Sequence, residues 1–284
     1  MTNRHSVRPA TAADVPGIAA VLAANDEPIE PFGVDGMSYL EFLLVRGRVE
    51  VAEADGRVAG FVSVIRVGDA SMVSDLFVDP ADHGHGIGSA LLASALPGEG
   101  PRMTFSSADP RALPVYVRAG MHPWWPSLYV RCDPAAIACL PATPSLTIEP
   151  ASAAETADAC RALTGIDRRQ DFAFYAAEPG AAGFVLRERD AVAGVVWAHR
   201  DDQGHGRAVA HASIARDADA GRVGVAAFRA AAGEESVWGC VPGPHPALPA
   251  LLEAGGRIVD RDTYCTSDPG WLDPERILPN PGLL

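Results

Sequence analysis

Apolar and polar positions in the first half of the chain form short runs of two different periods, and those periods predict the elements. Ser6–Pro9 reads as a strand. Thr11 stands as an N-cap, with Asp14 in a capping-box-like position, for a helix that gathers Val15, Ile18, Val21 and Leu22 on one face. Tyr39–Val45 reads as a second helical segment. Val49–Glu53 and Val58–Arg66 are strands that flank Asp55-Gly56, a dipeptide suited to a tight hairpin. Ser71–Val78 is a further strand, Ser89–Leu96 a helix stopped by Pro97-Gly98, and Met103–Phe105 a strand. Ala112–Arg118 is a helix closed by Gly120, and Leu128–Arg131 is a last strand. The order is βααβββαβαβ, antiparallel strands first and helical crossovers after. This is an α/β chain with a mixed sheet.

The pattern then returns. Arg8-Pro9-Ala10-Thr11-Ala12-Ala13-Asp14 is echoed by Glu149-Pro150-Ala151-Ser152-Ala153-Ala154-Glu155. Val58-Ala59-Gly60 is echoed by Val192-Ala193-Gly194, and Ala112-Leu113-Pro114 by Ala247-Leu248-Pro249. The separations are 141, 134 and 135 positions, in one order along the chain. A tandem duplication is the natural reading. Copy one occupies 1–139 and copy two 145–284, joined by the proline-punctuated Leu140-Pro141-Ala142-Thr143-Pro144.

Composition narrows the function classes. The 284 residues, 48% hydrophobic and 21% charged, suffice for a sizeable core and argue against disorder. The 23 basic residues are all arginine, a bias that suggests a GC-rich bacterial genome. Against 36 acidic residues they leave a net charge of −13, which lacks the field that draws nucleic acid or an anionic membrane surface. No run of about 18 apolar residues offers a membrane span, and the first residues have no secretory apolar core. The five cysteines, Cys132, Cys139, Cys160, Cys240 and Cys265, are odd in number and widely spaced, which fits a reducing cytoplasm and supports no zinc site. His199, His205, His211 and His245 show no metal-ligand spacing, and no Ser-His-Asp or Cys-His set is legible.

The stretch Leu76-Phe77-Val78-Asp79-Pro80-Ala81-Asp82-His83-Gly84-His85-Gly86-Ile87-Gly88-Ser89 carries the candidate chemistry. A strand ends, a glycine-rich turn follows, and an apolar helix begins, leaving backbone N–H groups free to hold a phosphate. No lysine follows to make it a P-loop, and its place after a hairpin is not that of a dinucleotide fingerprint. Without a ligand, the same stretch is a glycine-rich connection.

The motif and its setting resemble the GNAT superfamily of acyl-CoA-dependent N-acetyltransferases, whose signature is Gln/Arg-x-x-Gly-x-Gly/Ala. His83-Gly84-His85-Gly86-Ile87-Gly88 matches with histidine in the first place. The resemblance covers copy one and, more faintly, copy two, so it implies two tandem GNAT-like domains. It implies acetyl-CoA as co-substrate, without a metal. The backbone of Leu76, Phe77 and Val78 would meet the pantetheine arm. His83, Gly84, His85, Gly86, Ile87, Gly88 and Ser89 would hold the pyrophosphate, and Asp109 stands where the family often has an asparagine that binds pantetheine. Tyr116, in a Tyr-x-x-x-Gly segment, would protonate the leaving thiolate; its alternative is a core aromatic on an amphipathic helix.

The implied reaction is direct attack of an amine on the thioester in a ternary complex. The N–H of Leu76 is the candidate oxyanion donor. Asp75 is the first candidate general base, with Ser74 and Glu53 as others; a solvated strand carboxylate is the alternative. The acceptor is expected to be a small-molecule or peptide amine. Asp26, Glu27 and Glu30, with Pro28, Pro31, Phe32, Tyr39 and Phe42, would suit a cationic one or form a solvated loop. His122-Pro123-Trp124-Trp125-Pro126 would wall the acceptor site or simply pack beside the last strand.

Copy two keeps only Gly224 of its loop, Asp219-Ala220-Gly221-Arg222-Val223-Gly224, and has Leu251 where Tyr116 stood. It reads as a degenerate domain, with Asp268–Leu284 as an extended surface tail. A monomer or homodimer is expected. The competing reading is a non-catalytic acyl-CoA sensor, because His83 and Asp109 depart from the family pattern; a scaffold that binds no CoA is a third.

Overall fold

A computed structural model describes residues 5–27, 39–96, 98–178, 180–200 and 206–284. Pro97, at the end expected for one helix, and Pro28, Glu30, Pro31, Phe32 and His205 lie outside them. The chain divides into two compact units. One is Met1–Trp124 with Cys265–Pro269, and the other is Trp125–Tyr264 with Gly270–Leu284.

The first unit runs β1 (His5–Pro9), α1 (Val15–Ala24), α2 (Tyr39–Arg46), β2 (Arg48–Ala54), β3 (Arg57–Val67), β4 (Ala70–Val78), α3 (Ile87–Ala95), β5 (Arg102–Ser106) and α4 (Ala112–Arg118). Its sheet order is β1-β2-β3-β4-β5, with neighbours antiparallel until the parallel β4–β5 pair.

Local chemistry fixes these elements. The Asp14 carboxylate accepts from the Thr11 N–H at 2.8 Å and its hydroxyl at 3.0 Å, opening a short 3₁₀ turn that leads into α1. Arg8 grips the same carboxylate with both Nη atoms, holding its pKa far below the usual range. Asp55 and Gly56 take φ of 51° and 75°, the two positive angles of a type I′ hairpin turn. Val62, Val64 and Val73 of the sheet bury against Ile87, Leu91 and Leu92 of α3, with Tyr116 and Met121 completing that layer.

The second unit repeats the plan. After β6 (His122–Cys132, within this unit from Trp125) and α5 (Pro134–Cys139) come β7 (Leu146–Ala151), α6 (Ala153–Thr164), α7 (Arg169–Ala176), β8 (Ala182–Glu188), β9 (Ala191–Arg200) and β10 (Arg207–Ile214). There follow α8 (Ala220–Ala232), β11 (Val237–Pro242), α9 (Leu248–Glu253), β12 (Arg257–Thr266) and β13 (Ile277–Leu278). The sheet order is β12-β6-β11-β10-β9-β8-β7, and β13 pairs β10. A capping box forms at Ser152 and Glu155, the counterparts of Thr11 and Asp14.

Two expectations change. The boundary between units falls at 124/125 rather than in the Leu140–Pro144 segment, because Ser127–Cys132 of β6 pairs with Val237–Pro242 of β11. The segment after Asp268 is not a surface wrap: Leu272, Ile277, Leu278, Leu283 and Leu284 are buried. Among the described residues no helix is long and apolar enough to cross a membrane. Among the described residues none of the five cysteines forms a disulfide.

Candidate active site

The site begins with an irregularity in β4. Ser63 pairs with Asp75 and Val64 with Val73, so Ser74 is an extra residue, a β-bulge. β5 pairs with β4 only at Ser71–Val73, whereas β4 continues to Val78. The Thr104 hydroxyl donates to the Val73 carbonyl at 3.0 Å where the pairing stops. The rest of β4 leads into the glycine-rich loop.

Arg57 braces that loop, bonding Asp79 at 2.9 Å and Asp82 at 2.6 Å. Gly84 and Gly86 take φ of +81° and +80°, yet an added Cβ at either would meet nothing within 4 Å. Backbone conformation, rather than crowding, calls for glycine there. Gly86 is the N-cap of α3, and the first-turn N–H groups of that helix form an anion-attracting end.

A cleft of about 660 Å³ opens beside this loop. β4 contributes Leu76, Phe77 and Val78, and the loop and α3 contribute His83, Gly84, Gly86, Ile87, Gly88 and Ser89. Asp109 and Tyr116 line the far wall. Two sequence candidates stand elsewhere. His85 is exposed, with Nδ1 3.1 Å from the Asp82 carbonyl. Asp75 does not line the cleft either. Side-chain alternation after the bulge packs Leu76 and Val78 against the α3 layer and directs Asp75 toward the first residue of α2.

His83 does not present a free ring to the cleft. Its Nε2 lies 2.9 Å from the Val78 carbonyl, and its Nδ1 meets the Arg111 guanidinium. Arginine only donates and a carbonyl only accepts, so this geometry selects the neutral ring with the proton on Nε2. The Val78 carbonyl also accepts from Asn25 Nδ2 at 3.1 Å, so two side chains already engage an atom expected to meet pantetheine.

Asp109 is turned onto Arg111, accepting from its backbone N–H at 2.8 Å and from its guanidinium at 2.5 Å. Those hydrogen bonds hold its carboxyl down to about 2. Sequence reasoning missed Arg111, and also Arg118 and Asn25, all on the cleft wall. The available signal was the Asp109-Pro110-Arg111 spacing, in which the carboxylate comes with its own cation.

Tyr116 is both a packing residue and a cleft residue. It is 6% exposed, belongs to the apolar layer with Ile87, Leu91 and Met121, and still lines the cleft. Among the base candidates, Glu53 is committed to Arg8 at 2.8 Å, and the Ser74 hydroxyl is buried in the bulge. Asp75 is the remaining candidate. Burial pushes it up from 3.8 to about 6, against the Ser63 hydroxyl at 2.5 Å and the Tyr39 hydroxyl at 3.3 Å, and the charge of Glu27 adds to the rise. Glu27 lines the cleft. Trp125 stacks on Tyr264 with centroids 4.4 Å apart, and Trp124 is 59% exposed, so neither walls the cleft.

The equivalent place in the second unit is closed. The Asp219 carboxylate itself caps α8, accepting from the Arg222 N–H at 3.0 Å. A Cβ at Gly224 would lie 2.7 Å from both Ala247 Cβ and His245 Cε1. Leu251 is fully buried. No group of metal-ligating residues occurs among the described residues.

Residues 45–120 match the family model of the acetyltransferase (GNAT) domain. No curated protein matches the chain by sequence. Among solved structures, a tandem GNAT protein from the clavulanic acid biosynthesis pathway is 17% identical, with a TM-score of 0.63 over 95% of this chain and 100% of that one. A GCN5-related N-acetyltransferase from Sphaerobacter thermophilus is 16% identical, with a TM-score of 0.55 over 94% and 96%. Another, from Anabaena variabilis, is 15% identical, with a TM-score of 0.62 over 93% and 72%. At these identities the likeness is one of fold.

Proposed function

We propose that the first unit, whose residues 45–120 match the GNAT acetyltransferase domain model, transfers an acetyl group from acetyl-CoA to an amine, directly and in a ternary complex. The observation that carries this reading is a conjunction. The segment of β4 beyond its pairing with β5, the glycine loop at the N-terminus of α3, and Tyr116 all line one cleft. Loop and helix N–H groups hold the pyrophosphate, with Arg111 and Arg118 as nearby cations. The thioester arm lies along Leu76–Val78, displacing His83 from the Val78 carbonyl.

The amine attacks the carbonyl carbon, and the Leu76 N–H stabilises the oxyanion. Asp75, set outside the cleft lining, accepts the amine proton through an intervening water; a carboxyl near 6 is ionised at neutral pH yet basic enough to act. The Tyr116 hydroxyl protonates the thiolate as the C–S bond breaks. Glu27 on the cleft wall favours a cationic acceptor. The second unit, its loop capped by Asp219, does no chemistry.

The test is release of CoA thiol from acetyl-CoA across a panel of mono- and diamines. Amine-dependent release supports transfer. Tight acetyl-CoA binding with no amine dependence would instead support a non-catalytic sensor.

A further inference from the structure

The second unit contains its own counterpart of the β4 edge, and something sits on it. Ala198 pairs with Val209 and Trp197 with His211, so Ala210 is an extra residue, as Ser74 is in β4. His211 is therefore the counterpart of Asp75, and Ala212–Ile214 that of Leu76–Val78. β11, like β5, pairs only the start of its neighbour, Arg207–Val209. In the first unit the continuing edge lines a cleft. In the second, Ile277 and Leu278 pair with Ser213 and Ala212 as an antiparallel strand.

We infer that the second unit is a peptide-binding groove, and that its ligand is the chain's own segment Arg276–Leu284. Both ends of the segment are held by groups that act on peptide carbonyls and amides. At one end the Ile214 N–H donates to the Arg276 carbonyl at 2.9 Å, and the Arg276 guanidinium reaches the carbonyls of Ala215 at 3.0 Å and Ala218 at 2.6 Å. At the other, Arg168, 3% exposed, donates to the carbonyls of Leu283, at 2.9 Å, and Leu284. His211 Nδ1 lies 3.0 Å from the same Leu284 oxygen, and its Nε2 lies 2.7 Å from the Ser213 hydroxyl.

Asp171, fully buried, neutralises Arg168 at 3.0 Å, and burial holds His211 far below its usual pKa, so the pocket offers donors without net charge. The Leu283 peptide carbonyl, flanked by apolar side chains, fits that pocket, and Leu283 and Leu284 are each 1% exposed. The Asn280 side chain turns the segment into place, accepting from Gly282 and Leu283 at 2.8 and 3.0 Å. By contrast Ser267–Gly270, which leads toward it, is exposed. The segment is a tethered ligand of extended-peptide type, anchored by Leu283 and Leu284. This inference does not depend on the activity proposed for the first unit.

The experiment uses the full chain with a protease site inserted between Pro269 and Gly270, cut after purification. The severed segment is expected to co-elute on native gel filtration. A labelled synthetic peptide of residues 274–284 should exchange into the cut protein, and excess peptide should raise its melting temperature. A peptide with Leu283 and Leu284 replaced by alanine should bind at least about tenfold more weakly. Should the cut protein unfold as the segment leaves, added peptide is expected to refold it. Loss of the segment with an unchanged melting curve, equal binding of the alanine peptide, or failure of the peptide to refold an unfolded cut protein would each overturn the inference.

Discussion

Replacing Asp75 by asparagine separates stability from chemistry at one atom. Asparagine keeps an oxygen to accept from Ser63 and Tyr39 but cannot ionise. Burial raises the carboxyl from 3.8 to about 6, so the folded state binds this proton more tightly than the unfolded chain does. The sign follows. Stability is unaffected by this group below the unfolded value, falls as pH rises from about 4 to about 6, and stays lowered above that.

At 1.36 kcal/mol per factor of ten, the gap corresponds to about 3 kcal/mol, or roughly 1–3 because the residue as a whole is half-buried. Asp75→Asn is therefore expected to melt roughly 2–10 °C higher than the wild type at pH 8, with the difference closing toward pH 4. The same variant should lose about 10²–10⁴-fold in turnover. The acid limb of kcat/KM near pH 6 should vanish with it; ionisation of the acceptor amine governs a limb at higher pH. Scanning calorimetry from pH 4 to 8 and a thiol-release pH profile read the two effects. A variant no more stable at pH 8, or one that keeps the limb near 6, would refute the argument.

Other perturbations address the cleft. Gly86→Glu is expected to abolish acetyl-CoA binding, because it sets a carboxylate at the phosphate loop and a side chain at φ +80°; equilibrium dialysis reads it, and unchanged affinity would remove the loop from the site. Tyr116→Phe should lower kcat with little change in acetyl-CoA affinity, and an unchanged kcat would leave Tyr116 as packing alone. Arg111→Ala should weaken acetyl-CoA binding and flatten its salt dependence while freeing His83 and Asp109; equal affinities at 50 and about 300 mM salt in wild type and variant would contradict a phosphate contact.

Much of the first unit was legible because its cues are local. Asp55-Gly56 fixes a hairpin, the Thr11–Asp14 pair opens α1, and Ala112–Arg118 is a helix over the range that its periodicity and Gly120 imply. α3 starts at Ile87, two residues before the expected Ser89, because Gly86 at positive φ is its N-cap. The partition of the chain was not legible. Which strand Ser127–Cys132 joins depends on a partner over a hundred residues away, and no local pattern carries that.

The prolines of the tail suggest a surface wrap, whereas its apolar Ile277, Leu278, Leu283 and Leu284 are the signal of burial. At the site, motif spacing located the loop and Tyr116, since both depend on short stretches. The fates of His83 and Asp109 depend on Arg111, which the motif does not include. The bulge that turns Asp75 away from the cleft is set by pairing across β3, which alternation along β4 alone cannot show.

The central proposal is a working cofactor cleft in the first unit and a closed counterpart in the second. Calorimetric titration of the whole chain with acetyl-CoA tests both together. It should give about one site per chain in the wild type and none in Gly86→Glu. Two sites, or heat that survives in that variant, would contradict it, as would a wild type that binds nothing.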